Sequence, residues 1–133
     1  DPKEKKLRKI LNFGHTLGHA IESYFLINPN KNKLLHGEAI AIGMILESYL
    51  SIHCCGLNFE IARDIKSTLF KYFKKIEINT DDKKEIVNLL LHDKKNIENK
   101  INFVLLSSIG NPKIDVEVPQ ELFEDAFNFY ASN

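Results

Sequence analysis

Apolar residues recur along this chain at helical spacing in five stretches. Residues 4–26 carry Phe13, Leu17, Ala20, Ile21, Tyr24 and Phe25 on one side, which predicts a first amphipathic helix. Asn28-Pro29-Asn30 breaks it, and residues 30–33 read as a polar loop. A second helix opens at His36-Gly37-Glu38 and continues through Leu50. It is apolar nearly all round, the pattern of a buried central helix, and Gly56 suits its end. Residues 58–74 predict a third helix, with Phe59, Ala62, Ile65, Leu69, Phe70 and Phe73 as its stripe and Asn58 as its cap. Residues 80–91 predict a fourth, with Ile86, Leu89 and Leu90 toward the core. Thr80 is followed three places later by Lys83, so no capping box is expected there, although Asp81 and Asp82 suit a helix N-terminus. Ile101 to Leu106 reads as a short strand, Gly110-Asn111-Pro112 as a turn, and Ile114 to Val118 as a second extended piece. Pro119 stands at the head of a last helix, 120–131, whose Leu122, Phe123, Ala126, Phe127 and Tyr130 face inward. The expected fold is mainly α: one helical domain over residues 1–133, with about five helices and at most a short β-hairpin.

The polar residues of the first helix are less ordinary than its apolar ones. Each helical residue turns the chain by roughly 100°. Read as one helix, the stretch lines up Glu4, Arg8, Asn12, His15, His19 and Glu22 on a narrow face. Exposed helix faces are usually mixtures of Lys and Glu; this one reads as the wall of a site. Gly14 and Gly18 each cost about 1 kcal/mol relative to Ala inside a helix. Their four-residue spacing leaves a flank that another backbone or a ligand can approach closely.

Composition narrows the possibilities. With 44% apolar and 27% charged residues, the 133-residue chain has the make-up of a globular domain able to bury a core. Its 18 basic and 18 acidic side chains balance, which gives no general affinity for nucleic acid or for an anionic membrane. No uninterrupted apolar run approaches the ~20 residues of a membrane span, and the charged N-terminus lacks the apolar segment of a signal peptide. Cys54 and Cys55 are adjacent, with no metal-binding spacing, and read as reduced thiols packed in a helix. A cytoplasmic location is expected. Asp1-Pro2-Lys3-Glu4 runs directly into the helical pattern, as the start of a fragment would.

Three places carry candidate chemistry. His15 and His36 lie on successive helices and can meet if these pack antiparallel. His36 opens its helix, and a helix N-terminus disfavours the imidazolium form. A catalytic zinc site takes three protein ligands and one open position. A third ligand is not evident, because Glu22 is two turns from His15 and Glu38 is one step off His36. Arg8, Asn12 and His19 offer donors for a carboxylate, hydroxyls or a phosphate. Lys94-Lys95, just before a strand, offers a cationic pair; a solvated pair of lysines is the plainer alternative.

These residues carry a resemblance. Arg8 to Glu22, with Asn12-Phe13-Gly14-His15-Thr16-Leu17-Gly18-His19-Ala20-Ile21-Glu22 at its heart, resembles the signature of the 3-dehydroquinate synthase family. Leu35-His36-Gly37-Glu38 through Met44, then Asp93-Lys94-Lys95, Phe103 to Leu106 and Ile109-Gly110, are similar to its later motifs. The likeness covers essentially the whole chain, but only the C-terminal helical domain of that enzyme; no glycine-rich phosphate loop is present. Glu98-Asn99-Lys100 departs from the glycine usual in that turn.

The resemblance implies conversion of 3-deoxy-arabino-heptulosonate 7-phosphate to 3-dehydroquinate and phosphate, the second step of the shikimate route. It implies NAD, bound mainly by an N-terminal domain outside this chain, and a divalent metal, zinc or cobalt. His15 and His36 would be metal ligands, the third being a glutamate before this chain begins. Arg8, Asn12, His19 and one of Lys94 and Lys95 would hold the substrate's anionic ends. Glu4 would lie near the reacting hydroxyls, and His19 would assist proton movement. A homodimeric parent enzyme is implied, and the fragment alone is expected to be inactive. Other readings are another sugar-phosphate cyclase such as 2-deoxy-scyllo-inosose synthase, an iron-dependent alcohol dehydrogenase, or a non-enzymatic helical module.

Overall fold

The longest apolar stretch becomes the element around which the others pack. The computed structural model of the chain describes residues 12–92 and 101–133. In it α1 spans His15–Ile27, α2 His36–Cys55, α3 Phe59–Leu69 and α4 Thr80–Leu91; β1 spans Asn102–Ser108, β2 Asn111–Glu117, and α5 Leu122–Ala131. The architecture is the expected one, five helices and one hairpin among the described residues. Helix α2 touches α1, α3, α5 and β1. This enclosure explains why it is apolar on every side: Ala39, Ala41, Ile42, Ile45, Leu46 and Leu50 are all buried. By length and composition alone α2 could cross a bilayer; here 56% of that apolar window is buried in the fold.

Among the described residues the first helix begins at His15, and the expected stretch 4–11 lies outside them. Gly14 has a φ of +85°, in the left-handed region, and α1 begins after it. Asn12 and Phe13 stand in a turn whose Asn12 carbonyl accepts from the His15 N–H at 2.9 Å. The single-helix alignment of Asn12 with the histidines therefore fails at Gly14, and the Glu4 and Arg8 part of that expectation lies outside the described residues. A glycine fits a helix interior and a left-handed corner equally in a periodicity count, but only the corner lets the chain turn here.

Gly14, Gly18 and Gly43 bring α1 and α2 into backbone contact. A Cβ on Gly43 would stand 2.0 Å from the Gly14 carbonyl oxygen, and one on Gly18 would be 3.2 Å from the Ala39 carbonyl oxygen. The flank offered by Gly14 and Gly18 is thus filled by a neighbouring helix. Elsewhere the local signals hold. Gly56 ends α2 with a φ of +72°, and the Asn58 side chain accepts from the Glu60 N–H at 2.8 Å to cap α3. Helix α4 does carry a capping box, one residue earlier than the sequence suggested. Asn79 accepts from the Asp82 N–H at 2.8 Å, and the Asp82 carboxylate accepts from the Asn79 N–H at 2.9 Å.

Phe103 and Leu105 of β1 are fully buried, and the Ser51 hydroxyl of α2 accepts from the Leu106 N–H at 3.0 Å, fastening the hairpin to the central helix. Its turn is Ile109-Gly110, with Gly110 left-handed, so Asn111 and Pro112 belong to β2. Pro119 precedes α5 by a turn instead of opening it, and α3 stops at Leu69 where the pattern suggested residue 74. Cys54 and Cys55 are unbridged, and partial burial pushes both thiols up.

Candidate functional site

The site is built at the meeting of two helix starts. His15 is the first residue of α1, His19 stands one turn on, and His36 is the first residue of α2. Their rings form a triangle, with centroids 5.2 Å apart for His15 and His19, 6.0 Å for His15 and His36, and 6.0 Å for His19 and His36. His19 and His36 are exposed and His15 is half-buried, so the cluster opens to solvent. Burial, helped by the charges His19 and His36 would carry, holds His15 below the usual imidazole range. It is therefore neutral near pH 7, the form that ligates a metal.

The carboxylates around the cluster have separate tasks. Glu22, one turn beyond His19, places its oxygens 3.1 and 3.2 Å from the His36 Nδ1. A carboxylate on one ring nitrogen orients the imidazole and leaves the other free for an ion. Glu38 accepts from the Leu35 N–H at 2.7 Å, so it caps the start of α2. Among the described residues no group of three His, Cys, Asp or Glu side chains is placed to hold a metal ion. The donor set nevertheless suits a divalent ion with borderline-soft preferences: two imidazoles within 6.0 Å of each other, one of them braced by a carboxylate.

The family profile described as 3-dehydroquinate synthase C-terminal matches residues 1–96, a span that contains the whole histidine cluster. The chain belongs to this family. It is 38% identical over 130 residues to the 3-dehydroquinate synthase of Parabacteroides distasonis, covering 98% of this chain and 36% of that protein. Against the 3-dehydroquinate synthase of Clostridium tetani it is 42% identical over 125 residues, covering 91% and 31%. The chain thus spans about a third of the length of the curated relatives it matches. In structure it is similar to 2-deoxy-scyllo-inosose synthase complexed with carbaglucose-6-phosphate, NAD+ and Co2+. The TM-score is 0.67 at 25% identity, covering 92% of this chain and 33% of that one.

For this member of the family, the structure brings together His15, His19 and His36 of the residues singled out in the sequence. Asn12 is described and exposed, in the turn before α1 and off the helical face that carries the histidines. Glu4, Arg8, Lys94 and Lys95 lie outside the described residues. Sequence reasoning missed two residues. One is Glu22 as the partner of His36: the sequence places it on the polar face, two turns from His15, and gives no sign of that contact. The other is Glu47, wholly buried in α2, whose Oε1 accepts from the Gly14 N–H at 2.9 Å and whose Oε2 accepts from the Leu17 N–H at 3.0 Å. Burial pushes its carboxyl up to about 8, against the pull of those two N–H groups. A lone acid amid Met44, Ile45, Leu46 and Leu50 was the available signal.

A cleft of about 480 Å3 lies away from the histidines, between α3 and the end of α5, lined among others by Phe59, Lys66, Phe70, Lys75 and Phe129. Two of its lysines are engaged: Lys66 donates to the Ser132 carbonyl at 2.6 Å and Lys75 to the Ala131 carbonyl at 3.0 Å, closing the C-terminal end of α5.

Proposed function

We propose that this domain is the metal- and substrate-binding part of a 3-dehydroquinate synthase, which converts 3-deoxy-arabino-heptulosonate 7-phosphate to 3-dehydroquinate and phosphate. The observation that carries this reading is the convergence of His15, His19 and His36 where α1 and α2 begin, inside the segment that matches the family. NAD would supply hydride acceptance and return at one carbinol, and a divalent ion, zinc or cobalt, would supply the Lewis acidity that lowers the pKa of that hydroxyl. In this chain His15 and His36 would hold the ion, with Glu22 orienting His36. The third ligand, a glutamate, and the NAD-binding domain come from outside this chain, so the isolated domain is inactive. His19, exposed beside both ligands, hydrogen-bonds the substrate and passes a proton at its free ring nitrogen. Arg8, Asn12 and one of Lys94 and Lys95 bind the carboxylate and phosphate, and Glu4 contacts the reacting hydroxyls.

The likeness to 2-deoxy-scyllo-inosose synthase supports a second reading, another sugar-phosphate cyclase. One assay separates the two. The full-length protein is given heptulosonate 7-phosphate, and phosphate release is followed with and without chelator, beside His36→Ala. Chelator-sensitive release that His36→Ala abolishes is the expected result. No release from folded, metal-loaded protein overturns the first reading and moves the substrate to another sugar phosphate.

A further inference from the structure

Glu47 sits where the pattern of α2 asks for a hydrocarbon. It is fully buried, one helical turn on from Gly43, on the side of α2 that meets α1. A carboxyl in such surroundings is tolerated only when its oxygens are hydrogen-bonded. Both are, and both partners belong to one short stretch, the N–H groups of Gly14 and Leu17. The opening N–H groups of a helix have no partner within it, and they carry the positive end of the helix dipole. An N-cap side chain usually answers them, but the N-cap of α1 is Gly14, which has none. Glu47 performs that task from a neighbouring helix, through residues 33 and 30 positions away in sequence.

His15 lies between the two anchored amides. Gly14, at a φ of +85°, is the joint at which the chain changes direction into α1. The glycine contact with Gly43 sets how closely the helices approach, and the two Glu47 oxygens hold the N–H groups on either side of His15.

We propose that Glu47 is a positioning residue of the metal and substrate site: reaching across from α2, its carboxyl clamps the first turn of α1 and so fixes where His15 and His19 stand relative to His36. This rests on the reading of His15 and His36 as metal ligands. Residues that hold a ligand from behind typically change metal affinity 10- to 100-fold when replaced.

The test uses the full-length protein and Co2+ as both ligand and spectroscopic probe. Glu47→Gln keeps the volume and one acceptor but sets an amide NH2 against the second N–H. Ile86→Val, a core change in α4 that removes one buried methyl and no hydrogen bond, is the control for lost stability alone. Glu47→Gln is expected to weaken Co2+ binding about 10- to 100-fold and to alter the visible Co2+ absorption. Ile86→Val is expected to change neither. Glu47→Gln that loses stability but keeps the affinity and spectrum of the parent overturns the proposal. His36→Ala tests the underlying metal reading separately. If it leaves Co2+ affinity unchanged, that reading fails, and the clamp is decided by amide hydrogen exchange at Gly14 and Leu17. Faster exchange in Glu47→Gln than in Ile86→Val supports the clamp, and unchanged protection overturns it.

Discussion

Replacing Gly43 by Ala forces a choice between helix propensity and helix packing. In a helix interior, Ala is favoured over Gly by about 1 kcal/mol, so local reasoning makes Gly43→Ala stabilising. Packing reverses the sign. The new Cβ would stand 2.0 Å from the Gly14 carbonyl oxygen, 2.7 Å from the Gly18 nitrogen and 2.9 Å from the Gly18 Cα. All three are backbone atoms, which cannot rotate away. Raising 2.0 Å to the 3.4 Å of ordinary contact parts the two backbones by about 1.4 Å. That shift stretches the Glu47 bonds, now 2.9 and 3.0 Å, beyond the roughly 3.2 Å limit of a good N–H···O bond. Overpacking costs about 1–3 kcal/mol, and stranding a buried acceptor costs about 1–3 kcal/mol more. After the propensity gain, a net loss of roughly 1–5 kcal/mol is expected. Chemical denaturation of the full-length protein followed by circular dichroism measures it, and a Co2+ titration reports the displacement of His15 from His36. Gly56→Ala is the matched control. Gly56 is left-handed with no atom within 4 Å of an added Cβ, so its loss is conformational, about 1–2 kcal/mol, and Co2+ affinity stays. A Gly43→Ala protein as stable as the parent, with its Co2+ affinity intact, refutes the reasoning.

Two further outcomes follow from the same geometry. Glu22→Gln weakens the brace on His36 and is expected to lower Co2+ affinity about 10-fold or more; isothermal titration showing parental affinity would remove Glu22 from the site. Asp82 is buried beside Tyr24 and Lys31, its carboxylate accepting from the Tyr24 hydroxyl at 2.5 Å, from Lys31 at 2.9 Å and from the Asn79 N–H at 2.9 Å. Burial pushes this carboxyl up, but the bonds from Tyr24, Asn79 and Lys31 together outweigh it and hold it below the usual carboxylate range. A depressed carboxylate stabilises the fold at neutral pH, and that contribution is lost as pH falls below 3.8 through the folded value. Asp82→Asn is therefore expected to cost about 1–3 kcal/mol at pH 7 and to flatten the acid limb of the stability curve. Denaturation curves for the two proteins that coincide from pH 7 to pH 3 would contradict this.

Local order in this protein is written in local sequence. The continuous apolar run of α2, the apolar period of α4, the glycine after Cys55, the Asn58 cap and the two extended pieces of the hairpin can all be read from residues a few positions apart, because helix and strand periods act at that range. The histidine motif was legible for the same reason, and it named the residues that form the cluster. What the sequence could not decide was geometry between segments. Gly14 passes as a helix residue until Met44 and Gly43 are seen pressed against it, leaving the corner as the available path. Glu47 reads as a blemish in an apolar helix until the start of α1, 30 residues earlier, supplies its two donors. Glu22 and Glu38 look like equivalent spare carboxylates until packing gives one to His36 and the other to the Leu35 N–H. A buried polar side chain must be hydrogen-bonded, but its partner is chosen by the packing of whole helices, and that choice is made only in three dimensions.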